Sequence, residues 1–407
     1  MPPPFFTFLN AFGDDRTSKN YAEDKMMAAI AFLVFFSNAM FPALLPELAH
    51  EFQVGPLDLK WLVPGFALAY AVATLIYGVV SDLHGRPLVL KRLLCFAALA
   101  IAVLSVSKTA QQLVLLRSLS GLAVGGIATI SLSIIGDKYP YPVQGRPMGK
   151  MFGAVAAGMG LGVSLGPMLS ALIGWRWALR LVSAGFVIAA GWVHKQYFNS
   201  LTTTFVPKPA YKIPDEYRCI LRAPRGKRTL IFITANGIFH GGVFAWLGLF
   251  LAIHFQLGQV GIGLTLIGYG VPDLILGAFI GGWADRYGRR FVVPGGFFWA
   301  ATCACAIALS RMPWTAGLSI AALSIGFDAT HPLMSSITTS LDPKHRGQLT
   351  GMATFANFIG MSIGALIFRE LLRCGFSQAF FAFAILESLS GVAAVICFRA
   401  ERPSTPI

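Results

Sequence analysis

Twelve stretches of the chain are long and apolar enough to cross a bilayer, and this feature restricts the fold more than any other. A hydrocarbon core about 30 Å thick takes roughly 20 apolar residues per helix, and every backbone amide must be satisfied within the segment. The stretches, numbered here as spans 1 to 12, cover 26–46, 61–81, 89–107, 112–136, 151–174, 177–194, 230–253, 260–282, 291–310, 314–340, 348–368 and 376–398. Such a chain is expected to be an all-α membrane protein, because helices of this length leave no polar backbone for lipid to meet.

The charges fall where a membrane would place them. Only 12% of the 407 residues are charged against 56% hydrophobic, yet the formal charge is +14. With both termini on the cytoplasmic side, only Lys60, Lys108, Arg176, Arg180, Arg311, Arg369 and Arg373 lie outside; Arg117 lies within span 4, and every other lysine and arginine is inside. That asymmetry is the positive-inside pattern, which accounts for the net charge without a nucleic-acid partner. The expected location is a cell membrane, the inner membrane of a bacterium, with the first span as an uncleaved anchor because residues 1–25 are too polar for a signal peptide.

The longest polar stretch, 195–229, contains Pro207, Pro209, Pro214 and Pro224 and reads as a cytoplasmic linker. It separates 26–194 from 230–398, two expected six-helix bundles, with 1–25 and 399–407 as the N-terminal segment and the tail. An internal repeat supports that division. Gly78, Asp82, Gly85 and Arg86 after span 2 recur as Gly281, Asp285, Gly288 and Arg289 after span 8, each 203 residues further on.

Both loops resemble motif A of the major facilitator superfamily, and the resemblance extends from span 1 to span 12. It implies two pseudo-symmetric six-helix bundles that rock about a central cavity. It also implies a latch in which Asp82 meets the start of span 11 near Gly347 and Arg86 pairs with Asp137. Span 5 carries Gly153, Gly162, Gly166 and Pro167, similar to the antiporter signature of the drug:proton exporters, with Ser170 and Ala171 in place of its closing glycine pair. Arg117-Ser-Leu-Ser120-Gly121 in span 4 resembles the family's motif B, whose arginine is associated with proton coupling. Asn38 and Pro42 lie in a span 1 similar to that of the same exporters, but no acidic residue occurs between Met26 and Pro46.

Ionisable groups are costly in hydrocarbon, so those inside spans are candidate site residues. Asp328 and His331 are three residues apart in span 10 and would share a helix face; Asn236 and His240 are similarly placed in span 7; Asp273 follows Pro272 in span 8. An acid and an imidazole so placed can pass a proton near neutral pH. In the superfamily fold spans 1, 4, 7 and 10 line the cavity, and these spans contain Asn38, Arg117, Asn236, His240, Asp328 and His331. Glu387 in span 12 is expected to have a packing or protein-contact role. Phe239, Phe244 and Trp246 are candidates for an aromatic cavity wall or for the core.

The expected activity is proton-coupled export of a small organic compound (a drug, a siderophore or a metabolite) by a monomer. A symporter or facilitator importing a solute is the alternative within the same fold. A non-transporting receptor or an intramembrane enzyme is the alternative of another class, but zinc-hydrolase and nucleophile-elbow patterns are absent. No nucleotide-binding loop is present, and the six scattered cysteines have no zinc or disulfide spacing. No cofactor or metal is expected.

Overall fold

The computed structural model describes residues 18–139, 145–198 and 221–401, apart from 271, 273–278, 281, 285 and 342–345. Regular structure among these residues is entirely helical. Ten helices are long and apolar enough to span a bilayer, and they correspond to spans 1 to 7, 9, 11 and 12. The other two expected spans are not single long helices among the described residues. Span 8 is described as Gln259–Leu266 followed by a 3-10 turn at Ile267–Gly270, and much of its remainder lies outside the described residues. Span 10 is two helices, Pro313–Asp328 and His331–Thr339.

The break in span 10 has a local cause. Pro332 is the second residue of the later helix and has no N–H to give to the carbonyl of Asp328 four residues earlier. Span 4 is also interrupted, between Ala110–Val124 and Ile127–Lys138, at the pair Gly125-Gly126. Adding the repeat interval of 203 to these two glycines gives positions 328 and 329, so the two interruptions are equivalent in the repeat.

Helix packing repeats in the same way. Span 1 packs on span 5 as span 7 packs on span 11; the pairs 2–4 and 3–6 recur as 8–10 and 9–12. Contacts between the halves run through spans 2 and 11, 5 and 8, and 1 and 7. Glycines allow the closest of these approaches. On span 5, a Cβ at Gly158 or Gly162 would sit 2.5 or 2.6 Å from the carbonyls of Phe32 or Phe36 in span 1. On span 11, a Cβ at Gly364 would overlap the carbonyl of Ile238 in span 7. In a bilayer the solvent outside a helix is as apolar as its side chains, so backbone proximity of this kind supplies much of the association.

Gly85 and Gly288 turn the chain between spans 2 and 3 and between spans 8 and 9 with φ of 94° and 87°, values that L side chains rarely adopt. At this same end of the molecule each half ties its first span to its last. In the N-terminal half Tyr197 donates to Glu23, which also pairs with Lys138 at 2.6 Å. In the C-terminal half Arg225 and Arg228 each reach Glu401 at 2.6 Å.

Glu401 lies beyond span 12. Burial would raise its pKa, but the hydrogen bonds and charges of Arg225 and Arg228 outweigh it and hold the carboxyl below its ordinary 4.5. Because the folded value is the lower one, its stabilisation is complete above about pH 5 and lost as pH falls through the folded value. Thermal midpoints of the wild type and Glu401→Gln should therefore differ at pH 7 and converge as acid protonates the carboxyl in the folded state. A gap that does not narrow as pH falls below 4.5 would rule out the ion pair as its source.

Candidate functional site

The candidate residues gather into two groups, one in each half, and no hydrogen bond or ring contact between the groups is found among the described residues. In the N-terminal half Arg117 is 2% exposed, so it does not reach water at the helix end. Its guanidinium lies between two aromatic faces, 3.8 Å from the centroid of Phe41 in span 1 and 3.6 Å from that of Phe66 in span 2. It donates to the Asn38 side-chain oxygen at 3.2 Å, to the Asn38 carbonyl at 3.3 Å and to Ser120 at 3.4 Å. Nε has no partner, and no carboxylate pairs with the group among the described residues. An arginine is charged at any accessible pH, so a permanent charge is held here by neutral acceptors and π faces.

In the C-terminal half the break in span 10 faces span 7. Thr330, between the two helices, donates to Asn236 Oδ1 at 3.1 Å and also back to the Gly326 carbonyl at 2.8 Å. Phe327 contacts both imidazoles: His240 edge-on at 4.7 Å between centroids and His331 stacked at 5.0 Å. Asn236 and His240 are both buried.

Asp328 and His331 do not share one continuous helix as their spacing suggested. Asp328 ends one helix and His331 opens the next, so the turn at Ala329 and Thr330 sets their relation. Asp273, Gly281 and Asp285 lie outside the described residues.

The contacts around Arg86 are better defined. Arg86 reaches back to Asp82 Oδ1 at 3.1 Å and pairs across to Asp137, while also donating to the Ser133 carbonyl. Asp82 accepts from Gln348 Nε2 at 3.2 Å, which joins span 2 to the first turn of span 11 and so joins the two halves. Asp82→Asn retains one oxygen but removes the charge that holds both Arg86 and Gln348. It should lower the rate of transport about tenfold; the populations of the two open states, read by spin-label distances across spans 2 and 11, should move with it. Unchanged distances in the variant would show that the contact does no latching.

Among the span 5 residues, Gly162 and Gly166 face span 1, with Gly166 against Met40, whereas a Cβ at Gly153 would meet nothing within 4 Å. Pro167 lies inside the continuous helix Gly145–Ile173. Ser170, which stands where the antiporter signature has glycine, donates to Glu47 at 2.6 Å. Glu47 is within span 1 because that helix continues from Ser18 to Glu51, beyond the expected end at Pro46. Trp246 serves the core, donating to the Ala365 carbonyl of span 11 at 3.0 Å. Phe244 packs on Tyr269 of span 8. Glu387 is fully buried, and neither of its carboxyl oxygens has a partner among the described residues.

Three participants were missed in the sequence: Thr330, Phe327 and Gln348. Pro332 was a readable sign of the break at which Thr330 sits, whereas nothing in the chain marks Gln348 as the partner of a residue 266 positions earlier.

Buried polar groups on helices of both halves, joined by the Asp82–Gln348 contact and surrounded by an apolar exterior, suit a polytopic membrane protein. The sequence profile of the Major Facilitator Superfamily matches residues 27–268 and 249–407, and the chain belongs to that family. An uncharacterized MFS-type transporter of Bacillus subtilis (strain 168), YwfA, is 25% identical over 370 residues, covering 88% of this chain and 87% of that one. Multidrug resistance protein 3 of the same organism is 31% identical over 134 residues, which is 32% of this chain and 25% of that relative. A bacterial homolog of the human lysosomal transporter Spinster, solved inward-facing and unoccupied, superposes with a TM-score of 0.76 at 15% identity over 97% of this chain and 100% of that one. The protein is thus a transporter rather than an enzyme.

Proposed function

We propose that this transporter exports a small organic compound in exchange for protons, by alternating access between two bundles, 26–194 and 230–398. In this reading 1–25, the linker 195–229 and the tail 399–407 are cytoplasmic, in a bacterial inner membrane, and the working unit is a monomer. The observation that carries the reading is the placement of buried polar groups that hydrocarbon would exclude: Arg117 between spans 1, 2 and 4, and Asn236, His240 and Thr330 beside the interruption in span 10. Asp328 and His331 flank the span 10 interruption and supply the acid and imidazole of a proton relay. Export is supported by the glycine face of span 5 and by the name of the multidrug relative.

The test is flux of a compound panel in proteoliposomes with an imposed pH gradient, comparing wild type with Asp328→Asn. Export should accelerate with the gradient in the wild type, and the variant should lose that dependence while still exchanging substrate. Import driven by the same gradient would favour the symporter, and a variant that keeps full gradient dependence would remove Asp328 from the relay.

A further inference from the structure

A groove of about 520 Å³ opens on the outer surface of the C-terminal half between spans 8, 9 and 10, within the size range of small-ligand sites. Trp283, Tyr287, Phe291 and Trp299 line it, each about half exposed or more, and its floor reaches Ala329 at the span 10 break. Gly295 leaves it deep, since a Cβ there would meet nothing within 4 Å. This face belongs to a bilayer-crossing helix, so whatever fills the groove comes from the lipid phase.

The end of the groove is cationic. The guanidiniums of Arg286 and Arg290 stand over the rings of Tyr287 and Phe291, two of the lining aromatics, at 5.5 and 4.6 Å from their centroids. Neither side chain has a carboxylate partner among the described residues, and Nε of both Arg289 and Arg290 is buried without an acceptor. From Arg290 to Trp299 the helix rises about 13 Å, close to the depth of one leaflet's hydrocarbon. An apolar slot one leaflet deep, capped by guanidiniums with no carboxylate partner among the described residues, suits a single amphiphile with an anionic head.

We propose that the groove is a binding site for an anionic phospholipid, with an acyl chain along Trp283, Gly295 and Trp299 and the phosphate against Arg286 and Arg290. The lipid holds span 9 beside the span 10 break. Headgroup charge in that leaflet therefore bears on the same element as Thr330 and His331.

The experiment uses the full chain in nanodiscs with a phosphatidylcholine background, titrated with brominated phosphatidylglycerol or brominated phosphatidylcholine. Bromine quenches tryptophan at short range; the groove's share of the signal is the difference between wild type and the double variant Trp283→Phe, Trp299→Phe. Phosphatidylglycerol should quench that share at a mole fraction several-fold lower than phosphatidylcholine does. The double variant Arg286→Gln, Arg290→Gln should abolish the preference. Gly295→Leu, whose side chain enters open space, should remove the quenching by both lipids.

Equal quenching by the two lipids in the wild type would overturn the proposal. So would a preference that survives the arginine double variant, or one that millimolar inorganic phosphate abolishes, since that would indicate a free-phosphate site. Native mass spectrometry gives a second measure: a retained phosphatidylglycerol adduct in the wild type, lost in the arginine double variant. If Gly295→Leu fails to fold, this comparison decides, and no difference between the two proteins overturns the assignment.

Discussion

Arg117→Ala should reduce transport about a hundredfold, and Arg117→Lys should recover little of it. A cation over an aromatic face contributes about 2 kcal/mol when both are shielded from water, and Arg117 has two such faces, Phe41 and Phe66. About 1.4 kcal/mol corresponds to a factor of ten, so even partial use of these contacts in the working cycle accounts for the expected loss. Lysine keeps the charge but has neither the flat guanidinium that fits between two rings nor the fork that reaches Asn38 through one nitrogen and Ser120 through the other. Flux in proteoliposomes, normalised to folded protein, distinguishes the outcomes. Full recovery by lysine would show that charge alone matters there, and near-normal flux in the alanine variant would reduce Arg117 to packing.

Gly364→Ala should cost about 3 kcal/mol or more of stability, the upper range for overpacking. The new methyl would overlap the Ile238 carbonyl, and both atoms belong to helix backbones that cannot rotate away. Its effect should appear as a large fall in folded yield and in the detergent melting temperature. Gly153→Ala is the matched control: open space surrounds that position, and alanine is the better helix former by up to about 1 kcal/mol. Similar melting for the two variants would refute backbone proximity as the source of helix association. The comparison also bears on the span 5 signature, whose first glycine makes no contact here while its second and third face span 1.

Much of the architecture was legible because lipid imposes it. Apolar length gave the spans, and a duplicated turn gave the repeat, since the tight bend at Gly85 and Gly288 tolerates little but glycine. The pairing of Arg86 with Asp137 came from family resemblance, and these residues do meet. Span 10 was read as continuous because its composition stays apolar through 314–340, and hydropathy carries no information about a missing hydrogen bond at Pro332. The end of span 1 was placed too early, at Pro46, yet the helix passes through that residue to include Glu47. Contacts such as Asp82 with Gln348 or Thr330 with Asn236 join distant parts of the chain, and only the folded packing reveals them.

The interruptions in spans 4 and 10 occupy matching places but are made from different materials. A glycine pair bends by conformational freedom and can straighten with its hydrogen bonds intact, whereas Pro332 can never donate the helical bond four residues back. One joint is thus elastic and the other pre-bent, so a duplicated scaffold flexes unequally on its two sides. Selection acting on Pro332 can alter the stiffness of one half without disturbing the other, which gives the carrier a mechanical bias that its symmetry alone would forbid.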